Sequence, residues 1–231
     1  MAVAEQALGA TEERRAGFFG SSVGKKMVMA VTGVVLFGFV TVHMVGNLQA
    51  YMGATALNHY AEFLHTFIHG GGIWVFRSVM LVSVVAHGWA ALSLTLMNQA
   101  ARPIAYRKTD YKAATFASLT MRWSAVLLGL FIVYHLLHFT TGTLHPSFDP
   151  TNPYHNFVAG FKAPLVAGFY LVAQLCLGLH MWHGVWSFTQ TLGLSHPKYE
   201  TLRRGFAGVL TVLVVGVNLT FPIAVLTGFI H

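Results

Sequence analysis

His43, His87, His135 and His180 each lie inside a long apolar run, and each belongs to a different run. An imidazole left unpaired in hydrocarbon costs on the order of several kcal/mol, so a histidine there is a functional candidate. Neutral imidazole is a good iron ligand, and two facing imidazoles can fill both axial positions of a haem. Four such histidines would be satisfied in two pairs. With both axial positions filled, the iron binds neither oxygen nor substrate, and electron transfer is the use that remains.

The elements that must position these residues are membrane spans. The 231 residues are 55% hydrophobic and 9% charged, against about a quarter charged in an ordinary soluble domain. Five stretches, 27–50, 73–97, 119–142, 163–190 and 206–230, reach the roughly 20 apolar residues that a bilayer requires. No proline interrupts the third, nor the fourth after Pro164, so both should run as continuous helices. The fold class expected is all-α, one integral membrane bundle of five transmembrane helices over 23–231. A flexible cytoplasmic tail, 1–22, precedes it. That tail carries Glu5, Glu12 and Glu13 and does not read as a cleavable secretory signal. Cys176 is the only cysteine, which excludes a disulfide framework and a Cys-x-x-Cys-His attachment site, so haem would be held by histidine alone.

Lysine and arginine set the orientation. Arg14, Arg15, Lys25 and Lys26 precede the first span. Arg102, Arg107, Lys108, Lys112 and Arg122 follow the second, and Lys198, Arg203 and Arg204 follow the fourth. Only Arg77 and Lys162 fall on the opposite side. Cytoplasmic loops concentrate such residues, so the N-terminus is expected in the cytoplasm and the C-terminus outside. The formal charge of +7 then reflects topology and calls for no nucleic acid.

Depth sorts the histidines at about 1.5 Å of rise per residue. His43 lies about 12 Å from the outer end of its span and His135 about 10 Å from the outer end of its own. His87 and His180 lie about 16 Å and 15 Å from the inner ends of theirs. Two pairs result, 43 with 135 and 87 with 180. Gly46, Gly88, Gly178 and Gly184 lie near these positions, where small residues would admit a porphyrin close to the helices. His138 and His183 each follow a candidate by three residues, about 60° round a helix, and either could be the ligand instead. His59, His65, His69, His145, His155, His196 and His231 read as loop or terminal residues at solvated interfaces. His59, His65 and His69 lack a compact zinc-ligand pattern.

These features in this order resemble the single-chain, two-haem cytochrome b membrane anchor of succinate dehydrogenase and quinol:fumarate reductase, the complex II family. His43-Met44-Val45-Gly46-Asn47 resembles the family's first ligand segment, and Arg122 looks like its arginine at the start of the third span. His180-Met181-Trp182-His183-Gly184-Val185-Trp186-Ser187-Phe188 is similar to its fourth-span segment, a histidine followed by Gly-x-Trp-Ser-Phe. The ligand there precedes the glycine by four, which favours His180 over His183. The arginine spacing favours His135 over His138.

The resemblance implies a respiratory-chain and tricarboxylic-acid-cycle role in a bacterial-type inner (cytoplasmic) membrane, multi-pass. A flavoprotein with covalent FAD would interconvert succinate and fumarate. An iron–sulfur subunit would exchange electrons with this anchor, and the anchor, through two haem b groups, with membrane quinone, menaquinone for the two-haem class. Glu62 resembles in position the family's glutamate near the distal haem and quinone. Arg122, with Lys25 or Lys26, would pair with haem propionates or border an inner quinone site. Two other readings compete: a cytochrome b subunit of a formate dehydrogenase or hydrogenase, and a haem-free membrane protein whose histidines relay protons. The cytoplasmic loops are too short to hold a dicarboxylate or flavin site, so an enzyme acting alone is not expected.

Overall fold

The computed structural model describes residues 17–101 and 116–231. Residues 1–16 of the expected tail, and Arg102, Arg107, Lys108 and Lys112 of the loop after the second span, lie outside the described residues.

The described residues form helices and no strand. In chain order these are α1 (Ser22–Asn47), a short 3-10 turn (Leu48–Met52), α2 (Ala54–Thr66), α3 (Gly71–Ala100) and α4 (Phe116–His135), which runs on into a π-helical turn (Leu136–Thr140). Then follow α5 (Pro153–Lys162), α6 (Pro164–Thr191), a 3-10 turn (Pro197–Tyr199) and α7 (Glu200–Leu226). Among the described residues, five segments are long and apolar enough to cross a membrane: Ser22–Met52, Gly71–Ala100, Ser118–Thr140, Pro164–Thr191 and Pro197–Leu226. The chain is a multi-pass helical membrane protein. The last span begins several residues before the expected 206, because Lys198, Arg203 and Arg204 are carried on its first turns rather than in a loop.

Local chemistry sets the helix starts. Ser21 caps α1 by accepting from the Gly24 amide at 3.0 Å, and Asn152 caps α5 by accepting from the His155 amide at 3.0 Å. Pro153 and Pro164 occupy first-turn positions, where a missing N–H costs nothing. Many large apolar side chains, Leu165, Val82 and Trp123 among them, point outward, as a lipid-facing surface requires.

α1 packs along α3, α6 packs along both α4 and α7, and α1 also meets α6 and α7. Neither α1 with α4 nor α3 with α6 makes an extensive backbone approach. One end of the bundle is roofed by α2 and α5, two short helices in stretches expected to be loop. Asn58 stitches them together: its Nδ2 donates to Asn152 Oδ1 at 3.0 Å and its Oδ1 accepts from the Tyr154 amide at 2.9 Å. Phe157 and Phe161 of α5 pack down from this roof against Phe221 and Tyr170.

The opposite end gathers the cations. Glu200 there accepts from Trp186 Nε1 at 3.1 Å and pairs with Arg203 and Arg204 at 3.1 and 2.6 Å, while the Arg204 guanidinium lies 4.4 Å from the centre of the Trp186 ring. The network ties the end of α6 to the start of α7.

Candidate functional site

The rings of His43 on α1 and His135 on α4 face each other at 5.9 Å between centroids, in the roofed half. Those of His87 on α3 and His180 on α6 face each other at 6.2 Å, in the basic half. Each pair therefore spans two helices that otherwise stand apart. A metal held linearly between two imidazole nitrogens at about 2 Å each sets ring centroids about 6 Å apart. Both separations fit that arrangement.

Ring chemistry supports the fit. His87 Nδ1 lies 3.1 Å from the Met29 carbonyl and 3.1 Å from Thr32 Oγ1, both on α1. A carbonyl can only accept, so Nδ1 carries the proton and Nε2 keeps its lone pair. The Thr32 hydroxyl spends its own proton on the Val28 carbonyl at 2.6 Å and is free to accept from His87. His135 Nδ1 lies 3.3 Å from Tyr170 Oη. His180 Nδ1 is buried and has no partner among the described residues. Taken as whole residues, none of the four is fully buried. The residues present fit haem iron.

The near neighbours behave differently. His138 is 0% exposed, stacked on His145 at 4.9 Å and on Tyr134 at 5.4 Å, with Nδ1 3.0 Å from Tyr170 Oη. It faces the roof rather than His43. The π-helical turn contributes to this, because with more residues per turn it leaves His138 further round the helix from His135 than an α-helix would. His183 lies against Trp186, 5.9 Å away, on the side of the α6–α7 network.

Other placements depart from the expectations. His145 is not a solvated loop residue: it is buried, its Nε2 donates to the Asn156 carbonyl at 2.9 Å and its Nδ1 accepts from the Ser147 amide at 3.1 Å. His59 and His65 belong to α2, and His155 to α5. The glycines divide. Tyr60 covers Gly46, where a Cβ would come within 2.7 Å of its ring, and α7 covers Gly178, with Val215 at 3.5 Å. Gly88 and Gly184 have nothing within 4 Å of an added Cβ.

Glu62 is exposed on α2, and its carboxylate has no partner among the described residues. A cavity of about 310 Å³ is lined by Gln49 and by Ala56, His59, Tyr60 and Phe63 of the same helix, and Glu62 is not part of its lining. Lys25 Nζ donates to Met97 Sδ at 3.1 Å across the ends of α1 and α3, and Lys26 and Arg122 are exposed at the same end. The sequence reading does not single out Thr32 and Tyr170, although a hydroxyl deep within an apolar span is a readable signal. The Met29 carbonyl carries no such signal.

Residues 98–220 match the family described as succinate dehydrogenase/fumarate reductase transmembrane subunit. A search of curated proteins and one of solved structures give no match.

Proposed function

The chain belongs to the succinate dehydrogenase/fumarate reductase transmembrane subunit family, and from that premise we propose that it is a single-chain, two-haem membrane anchor. In this reading it carries electrons between an iron–sulfur subunit and membrane quinone, beside a flavoprotein with FAD. His43 and His135 would hold one b haem and His87 and His180 the other. Held there, a haem would supply one-electron transfer.

The observation that carries the reading is the bridging geometry. Two histidine pairs, at 5.9 and 6.2 Å, each join helices that make no extensive backbone approach to each other. Interhelical hydrogen bonding alone would bring the ring nitrogens together on helices in close contact. The chain's own atoms do the positioning: Met29 and Thr32 fix the tautomer of His87, and α6 carries both His180 and the phenol that meets His135.

The excess of lysine and arginine supports a cytoplasmic N-terminus. The basic end then faces the two soluble partners, and the roofed end faces outward across a bacterial-type cytoplasmic membrane. Quinone chemistry needs proton donors and acceptors within hydrogen-bond reach of the ring oxygens. At the outer end Glu62, on the same helix as His59 and Tyr60, which line a cavity with Gln49, would supply such groups. Arg122 would offer hydrogen-bond donors alone at the inner end, where Lys25, Lys26 and Arg122 are also the cations available to haem propionates. Menaquinone is the quinone assigned to this reading.

A pyridine-haemochrome assay on the purified chain tests it. Two b haems per polypeptide are expected, and fewer than two would overturn the two-haem assignment.

A further inference from the structure

We propose that Tyr170 is a positioning residue for the outer iron ligand, fixing the order of protons along a chain from His135 through its own phenol to His138. This rests on the reading above, in which His135 would hold the outer haem; since its Nδ1 meets Tyr170 Oη at 3.3 Å, Nε2 is the nitrogen left to bind iron.

The Tyr170 oxygen lies 3.3 Å from Nδ1 of His135 and 3.0 Å from Nδ1 of His138. A phenol has one proton, so it can donate to only one of the two imidazoles and must accept from the other. A ligand bound through Nε2 keeps its proton on Nδ1. His135 therefore donates to Tyr170, and Tyr170 donates to His138. His138 is left as the Nε2–H tautomer, and that Nε2 is the buried ring nitrogen with no partner among the described residues.

The surroundings hold all three members in place. Tyr170 is 4% exposed and stands edge-on to Phe131 at 5.1 Å and to Phe161 at 5.0 Å. Gly160 backs His138 so closely that an added Cβ would come within 2.8 Å of Cε1. The ring has no room to swing away. In this arrangement His138 serves to accept the phenol proton, which keeps that proton off Nδ1 of His135. An acceptor on the distal nitrogen of a ligating histidine raises its basicity and so favours ferric iron.

The order of donation makes the variants behave non-additively. Tyr170→Phe removes the acceptor, so the outer haem should stay bound and become easier to reduce. Its reduced-to-oxidised ratio at a fixed poise should rise severalfold, where tenfold corresponds to 59 mV for one electron. His138→Leu leaves the phenol proton only Nδ1 of His135 to bind, which favours the wrong tautomer. The outer haem should then fall well below stoichiometric, while His138→Asn, which restores an acceptor near Nδ1, should recover it. The double variant Tyr170→Phe/His138→Leu should hold more outer haem than His138→Leu alone.

The measurements are redox titration with low-temperature electron paramagnetic resonance of the purified complex, the inner haem in each sample reporting an intact fold. An unchanged outer potential and spectrum in Tyr170→Phe would overturn the proposal. So would a double variant no better than His138→Leu, the outcome that a merely structural role for His138 requires. Retention of both haems in His43→Ala would instead overturn the ligand reading beneath it.

Discussion

Gly33 on α1 lies against the His87 ring on α3, so close that a methyl group on it would stand 3.3 Å from Cε1. The contact lies one residue from Thr32, which meets Nδ1 of the same ring. Glycine here sets how deeply the ring can sit against α1. Gly33→Val should push His87 off its seat, with a cost of about 1–3 kcal/mol for overpacking. Inner-haem occupancy should fall roughly tenfold while the outer haem remains. The haem-to-protein ratio of the purified chain decides it, and equal loss of both haems would argue for general misfolding instead.

The pairing gives its own test. His87→Ala and His180→Ala should each remove the same haem, and His43→Ala and His135→Ala the other. Redox titration distinguishes the haems by potential, so four single variants suffice. Loss of different haems on substituting the two members of one pair would refute the assignment.

The roof rests on tight packing rather than on charge. An added Cβ at Gly160 would approach His138 Cε1 at 2.8 Å and Phe139 Cζ at 3.0 Å, and both rings are held in the core of the outer half. Gly160→Ala should destabilise the chain by about 1–3 kcal/mol. Thermal unfolding in detergent should show a lower midpoint, with the effect greatest for tryptic cleavage at Lys162 at the end of α5.

At the basic end, Glu200 holds Trp186, Arg203 and Arg204 together. Glu200→Gln keeps the shape and removes the charge. The 192–199 connection should be cut several times faster by limiting protease, with haem content unchanged. An unaltered cleavage rate would show that the network does not hold this connection.

Asp149 accepts from both the hydroxyl and the amide of Thr151 at 2.7 and 2.8 Å, chiefly the hydroxyl, and its carboxyl is held below the ordinary carboxylate range. A depressed folded value means that its contribution is present above the unfolded value of about 3.9 and is lost as pH falls through the folded value. Acidification below about pH 4 should therefore loosen the turn before α5. Nuclear magnetic resonance of the Thr151 amide should follow it, and Asp149→Asn should abolish the dependence.

The spans are legible in the sequence because a bilayer imposes a length and a polarity that few other environments share. Depth arithmetic on His43, His87, His135 and His180 also sets at one level the rings that face each other. The roof is not legible in the same way. α2 and α5 are 13 and 10 residues long, too short and too mixed for a span criterion, although Asn152 before Pro153 is a readable start signal. The burial of His138 and His145 escapes the sequence for a related reason. Whether a histidine near a span end meets water depends on what covers that end, and the covering helices lie elsewhere in the chain. Backbone partners such as the Met29 carbonyl are invisible by nature, since every residue has one.

The wide spacing of α1 from α4 and of α3 from α6 also bears on how the chain is kept folded. Faces that do not pack on each other add little to stability by themselves, so a group that binds only the assembled bundle adds its full linkage free energy. That is about 4 kcal/mol at a thousandfold excess over its dissociation constant, a sizeable share of the roughly 5–15 kcal/mol margin of an ordinary domain. Supply of that group would then govern how much of the protein a cell retains, through degradation of chains that never receive it.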